Sequence, residues 1–212
     1  QIGISHFLWG EFARPRWPWL FRRGGSKLVV TFHASATRLP EVLGGLRSLR
    51  GLDGITLMSK TQEPFFQALG MPAARMRTIL HGVDTAHFQP APDRVAGDGP
   101  LRGFLIGVTE RDHAFMAQVL RALPPDVLQL DVATSSAQQV HYEGVPHVNI
   151  LPRLDDRQLL RVYQQADLLV MPMRDCTANN AVLEAMACGT PVLINRIGGV
   201  PEYVDASCNH VL

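Results

Sequence analysis

Six short apolar runs punctuate the chain, and each is followed by a polar turn and then, in most cases, by helical spacing. They are KLVVTF (Lys27–Phe32), GITLM (Gly54–Met58), GFLIGV (Gly103–Val108), VLQLDVA (Val127–Ala133), ADLLVMPM (Ala166–Met173) and PVLIN (Pro191–Asn195). A strand with one face in water alternates apolar and polar residues. These runs are nearly continuous, which suits strands buried on both faces of a parallel sheet. The helical stretches between them include Thr61–Leu69, Ala114–Leu123, Asp156–Gln165 and Asn180–Cys188. Such alternation predicts an α/β fold with doubly wound parallel sheets. The chain opens inside a further strand-like run, QIGISHF, and stops at Leu212 just after another unit begins, so both ends read as truncated.

With 212 residues, 46% of them hydrophobic, the chain can bury a real core in one large domain or two small ones. PAPDRVAGDGP (Pro90–Pro100) loses all periodicity and is the best linker. The expected division is 1–92, a linker at 93–100, and 101–212. A net charge of +1 makes no case for nucleic-acid binding, and none is expected. The three cysteines, Cys176, Cys188 and Cys208, show no zinc spacing and read as reduced thiols, so a cytoplasmic setting is expected. No apolar run approaches the ~20 residues of a membrane span, and no signal peptide is visible.

One helix stands out. In RDCTANNAVLEAMACGTPVLIN (Arg174–Asn195), its residues are small or apolar except Glu184. A buried carboxylate without a partner is costly, so Glu184 is bonded either to the protein or to a ligand. Thr177, Asn179 and Asn180 all suit the N-cap, and Gly189 followed by Pro191 ends the helix. A helix start beyond the carboxyl end of a strand binds anions such as phosphate. One turn on, a carboxylate accepts two hydrogen bonds from a vicinal diol such as ribose.

CTANNAVLEAMACGTPVLINRIGGVPE resembles the donor-site signature of GT-B glycosyltransferases, in the large retaining family (group 1) that includes sucrose and glycogen synthases. ILHGVDTAHFQP, LDDRQLLRVYQQADLLVMPM and VVTFHAS resemble other segments of that family, in its order. The resemblance covers most of the chain and implies two Rossmann-like domains, the second binding the donor. It implies that Glu184 is the second glutamate of the family's paired-Glu motif and holds the donor ribose. The amides near Asn179 and Asn180 would face the donor sugar and phosphate, with Thr177 beside them. Eight positions before Glu184 stands Cys176 with Asp175 next to it, so the sugar contact of the first glutamate either passes to Asp175 or is absent. His33, at the end of a first-domain strand, would reach the donor sugar.

Charge building on a leaving diphosphate needs cations or helix ends. In GVTERDH (Gly107–His113), Val108 stands where the family carries Arg, and Arg111 fills the place of its Lys. Gly198 and Gly199 make a turn and allow close backbone approach to the donor. No Asp-x-Asp metal motif, P-loop or G-x-G-x-x-G after a strand is present, so a metal-independent site without a cofactor is expected. The N-terminal stretch interleaves Trp9, Trp17 and Trp19 with Arg14, Arg16, Arg22 and Arg23. It reads as a Pro-braced loop packing Trp into the core, or as a peripheral contact with a membrane face or lipid-linked acceptor. A polysaccharide acceptor is also compatible. The expected activity is hexosyl transfer from a nucleoside diphosphate sugar to an acceptor hydroxyl with retention, by a chain expected to be a poor catalyst alone. The rivals are a non-catalytic nucleotide-sugar-binding module and a sugar-nucleotide epimerase or phosphorylase of the same fold.

Overall fold

The structure, a computed structural model, describes residues 3–12, 25–43, 49, 51–94 and 97–212. It divides into two compact units. The first comprises Gln1–His81 with Asp175–Ala178 and Gly198–Tyr203, and the second Gly82–Arg174, Asn179–Ile197 and Val204–Leu212.

In the first unit, β1 (Ile4–Phe7), β2 (Lys27–Phe32), β3 (Gly54–Leu57) and β4 (Met76–Thr78) form a parallel sheet in that order. Val30 pairs with Ile55 and Phe32 with Leu57, so apolar side chains line up across the ladder. They pack with Leu39 and Leu43 of α1 (Leu39–Leu43) and Phe66 of α2 (Glu63–Ala68). Gln62, just before α2, is buried and fully used. Its amide donates to the carbonyls of Phe32 and Ala34 and its oxygen accepts from the amides of Met58 and Ser59. One polar side chain thus satisfies the backbone at the carboxyl ends of β2 and β3.

The second unit has β5 (Leu101–Ile106), β6 (Leu128–Ala133), β7 (Val148–Ile150), β8 (Leu168–Met171), β9 (Val192–Ile194) and β10 (His210–Val211), all parallel, in spatial order β10-β9-β8-β5-β6-β7. Renumbered within the unit, that is the 3-2-1-4-5-6 order of the Rossmann fold, so the sheet is doubly wound as the apolar runs predict. The order reverses between β5 and β8. Ligands of such sheets bind beyond the carboxyl ends of the strands at this reversal. The loops after Ile106 and Met171 are therefore where a site belongs.

The helices carry their own start signals. Asp112 caps α3 (His113–Ala122) by accepting from the Phe115 amide at 3.0 Å. A short α4 (Ser136–Gln139) follows β6. Asp155 and Gln158 form a reciprocal capping box at α5 (Asp156–Gln165), whose bounds match its sequence pattern. Asn179 caps α6 (Asn180–Ala187), and Gly189 at φ +73° closes its far end. There the amides of Gly189 and Thr190 bond back to Met186 and Ala185, the arrangement that a left-handed glycine permits. In the first unit α7 (Val200–Tyr203) ends the Gly198–Tyr203 segment. Strands β4, β7 and β10 escape the pattern of apolar runs because two or three residues carry no period.

β5 ends at Ile106, two residues before its apolar run does, because Gly107 turns the chain at φ +105°. A β-carbon there would lie 2.7 Å from Arg111 Nε and 2.9 Å from its Cζ. That guanidinium is pinned by three hydrogen bonds and cannot yield cheaply. Gly107→Ala is expected to cost about 1–3 kcal/mol in denaturant unfolding, from the backbone conformation and the collision together.

Candidate functional site

The site in the second unit is built on the two loops at the strand reversal. An antiparallel bridge joins Arg111 to Met173. Around it the Asp112 amide donates to the Pro172 carbonyl and the Arg174 amide to that of Glu110, both at 2.8 Å. Glu110 holds φ +60°, the sole non-glycine residue at positive φ among the described residues. From the end of β9, the Asn195 side chain grips the Met173 backbone, accepting from its N–H at 2.7 Å and donating to its carbonyl at 2.8 Å. Arg174 Nη2 lies 3.1 Å from Asp112 Oδ1, and this pairing holds the Asp112 carboxyl below the usual carboxylate range.

This strap presents Arg111. Its Nε donates to the Ile106 carbonyl at 3.1 Å, Nη1 to the Thr109 carbonyl at 2.7 Å and Nη2 to Asn179 Oδ1 at 3.1 Å. Asn179 Oδ1 also accepts from the Ala181 amide at 3.1 Å, so one oxygen caps α6 and anchors the cation. Asn180, the first residue of α6, is exposed. A guanidinium and the positive end of an eight-residue helix therefore share one place, an arrangement suited to an anion. Of the three N-cap candidates, the structure selects Asn179.

Glu184 lies about one turn into α6. Its Oε2 accepts from the hydroxyl of Tyr163, on α5, at 2.8 Å. Its Oε1 has no hydrogen-bond partner among the described residues and is not one of the sealed polar atoms, so solvent reaches it. The choice between protein partner and ligand thus resolves by atom: the protein holds one oxygen and the other stays open. Burial pushes the Glu184 carboxyl above its ordinary pKa; the Tyr163 bond and His87 act against this, and Asp156 adds to it. Burial, helped by Glu184, also pushes the neighbouring Cys188 thiol up to about 11, which leaves it inert.

The remaining predicted residues lie in the first unit. His33, half-buried, follows β2 and stacks on the exposed ring of Trp9 at 4.1 Å between centroids. Glu11 Oε1 accepts from the backbone amides of His33 and Ala34, and Glu11 Oε2 lies 3.9 Å from His33 Nδ1. Burial raises the Glu11 carboxyl, but the His33 side chain and the two amides outweigh it, so its pKa falls below the ordinary value. Asp175 is committed within the chain. Its Oδ2 accepts from the Thr37 hydroxyl and its Oδ1 from the Cys176 amide. Thr177 is buried. Gly198 and Gly199 run against the Cys176 and Thr177 carbonyls, where β-carbons would stand 2.0 and 2.3 Å away, so this packing already demands glycine at both positions. Arg14, Arg16, Trp17, Trp19, Arg22 and Arg23 lie outside the described residues. No helix among the described residues is long and apolar enough to cross a membrane, and no group of three or more His, Cys, Asp or Glu is placed there to hold a metal ion.

Sequence reasoning passes over Tyr163, Asn195 and Glu11. Tyr163 sits in an amphipathic helix where a buried aromatic reads as core. Nothing local marks its hydroxyl as the partner of a residue 21 positions away.

The sign of the Glu184 shift carries a stability consequence. A carboxyl raised in the folded state binds its proton there more tightly than in the unfolded chain. Stability is therefore lost as pH rises from the ordinary carboxylate range through the raised pKa. Glu184→Gln removes that loss, so its melting temperature at pH 7–8 should equal or exceed that of the wild type. Thermal melts of both proteins from pH 4 to 8 check this, the advantage of the variant growing with pH.

Residues 104–212 match the family model described as Glycosyl transferases group 1. The GDP-mannose-dependent alpha-(1-6)-phosphatidylinositol monomannoside mannosyltransferase of Mycolicibacterium smegmatis is 31% identical over 215 residues, covering 86% of this chain and 56% of that protein. The D-inositol 3-phosphate glycosyltransferase of Segniliparus rotundus is 34% identical over 109 residues, covering 47% of this chain and 24% of that one. The chain thus spans about half, or less, of the length of these relatives. Among solved structures, sucrose-phosphate synthase from Thermosynechococcus elongatus superposes with TM-score 0.77 at 17% identity, covering 99% of this chain and 59% of its own. Anabaena HepE in complex with UDP gives TM-score 0.77 at 15% identity, covering 99% and 64%. At such identities these two show the fold alone. With its two parallel sheets, the second of them doubly wound, and its match over residues 104–212, this chain belongs to the glycosyl transferases group 1 family and has a GT-B-type fold.

Proposed function

We propose that this chain carries the donor-binding part of a glycosyltransferase that moves a sugar from a nucleoside diphosphate sugar to an acceptor hydroxyl with retention of configuration. The observation that carries the reading is the sharing of Asn179 by Arg111 and the start of α6, with Glu184 one turn further on. Each part answers one part of such a donor. Arg111, its guanidinium held by the Ile106 and Thr109 carbonyls and by Asn179, sets a fixed positive charge where a diphosphate would lie. The helix end adds positive potential where negative charge grows as the sugar–phosphate bond breaks. The open Oε1 of Glu184 accepts from a ribose hydroxyl. No carboxylate of this cluster is a nucleophile, and the leaving phosphate takes the proton of the acceptor hydroxyl. The named donor of the mycobacterial relative, GDP-mannose, and the UDP bound by HepE support a nucleoside diphosphate donor. The acceptors in both relatives' names carry a phosphorylated inositol, which makes inositol phosphates and their lipids the acceptors to test first.

A second reading is binding without transfer. It is favoured by Asp175, whose two oxygens are occupied by Thr37 and the Cys176 amide where the family pattern calls for a sugar-contacting glutamate. Release of free sugar, or its transfer, from a bound donor by a chain with the length of its relatives decides between the two.

For binding itself, Arg111→Ala should weaken a nucleoside diphosphate by roughly 1.5–3 kcal/mol, the range for charge-assisted bonds, and leave the corresponding nucleoside nearly unaffected. Calorimetric titration of both ligands into both proteins measures the difference. Equal losses would assign Arg111 to holding its loop and not to the phosphates.

A further inference from the structure

We infer that Tyr163 is a positioning residue for donor binding: its hydroxyl fixes the Glu184 carboxylate so that Oε1 faces the ribose. This rests on the reading of Glu184 as the ribose ligand. The Tyr163 ring is fully buried, packed edge-on against Phe104 of β5 at 5.3 Å and against Phe88 at 6.0 Å. Its own backbone is tied as well, the Thr190 hydroxyl donating to the Tyr163 carbonyl at 2.6 Å. A ring locked in this way cannot move its hydroxyl, so the 2.8 Å bond defines where Glu184 Oε2 sits. With the helix backbone fixed and Oε2 pinned, the three side-chain torsions of Glu184 have few joint solutions left, so pinning Oε2 orients Oε1. A free glutamate would have to order its side chain on binding, which weakens affinity.

The donor is also permanent. Burial, reinforced by Glu184, holds the Tyr163 hydroxyl far above the ordinary phenol range, so it stays protonated wherever the protein is folded. Its bond favours the ionised form of Glu184, the form that accepts from both hydroxyls of a diol. The groups that bear on this carboxylate are Tyr163 and Asp156 of α5, His87 from the segment before β5, and Cys188 at the end of its own helix. Tyr163 is the one bonded to it.

Tyr163→Phe keeps the ring and deletes the hydroxyl. The probe is whichever of GDP, UDP and ADP binds the wild type most tightly, with its 2′,3′-dideoxy counterpart, titrated between pH 5 and 8. Three results are expected. Tyr163→Phe weakens the ribose ligand about tenfold at pH 7 and moves the acid limb of binding to higher pH. The dideoxy ligand binds both proteins alike. Adding Tyr163→Phe to Glu184→Gln brings no further loss. If Glu184→Gln weakens binding while Tyr163→Phe leaves affinity and acid limb unchanged, Tyr163 only fills the core and the inference is overturned. If Glu184→Gln itself binds as tightly as the wild type, the ribose reading fails and takes this inference with it. Should Tyr163→Phe not fold, 3-fluorotyrosine at position 163 keeps the hydroxyl and makes it a stronger donor. The acid limb must then move to lower pH, and a limb that stays in place overturns the inference.

Discussion

The second unit depends on how its two central loops are held where the strand order reverses. Parallel strands end in loops with no ladder of their own, and their backbone groups must find partners. Here the loops after β5 and β8 become each other's partners through the Arg111–Met173 bridge and its flanking bonds, and Asn195 closes the pattern from β9. Once that strap forms, the direction of the Arg111 guanidinium is fixed, because three acceptors converge on it. Asn179 then joins loop to helix with one oxygen. The left-handed turns at Gly107 and Glu110 are the local cost of the arrangement. Such strain persists only where the surrounding bonds over-determine the backbone.

Glu184 shows the opposite economy. Its environment disfavours the ionised carboxylate. For the protein alone a neutral or apolar residue would serve as well. What the structure supplies is one half-buried hydrogen bond, enough to hold the group and too little to satisfy it. A half-satisfied carboxylate one turn into a helix is the kind of group that a ligand completes. It also costs the empty protein something in stability, as functional sites commonly do. The first unit treats its carboxylates differently. Asp175 has both oxygens engaged, and Glu11 has one oxygen on two backbone amides with its pKa pulled down, so these are partnered within the chain.

Much of the architecture is legible without coordinates. KLVVTF is a strand over its full length and Asp156–Gln165 a helix to the residue, because each carries a complete signal: an unbroken β-rich run in one case, a capping box ahead of an amphipathic stretch in the other. Gly189 marks the end of α6 by chemistry alone. Signals fail where they are too short, as in β4, β7 and β10. They fail also where an apolar run outlasts its strand, as when Gly107 turns the chain before Val108.

The sequence by itself determined the fold class and the main strands, set Glu184 apart as a carboxylate that needed a partner, and left Thr177, Asn179 and Asn180 as candidates to cap its helix. These properties are local: burial on two faces, capping and charge are written in neighbouring residues. Only the tertiary structure decided which partners they have. Tyr163 meets Glu184 across 21 residues, Asn179 meets Arg111 across 68 and Thr37 meets Asp175 across 138. Such pairings follow from the order of strands in a sheet and the packing of helices upon it. No periodicity or motif encodes that order, because it is settled by which apolar faces bury one another when the whole chain condenses.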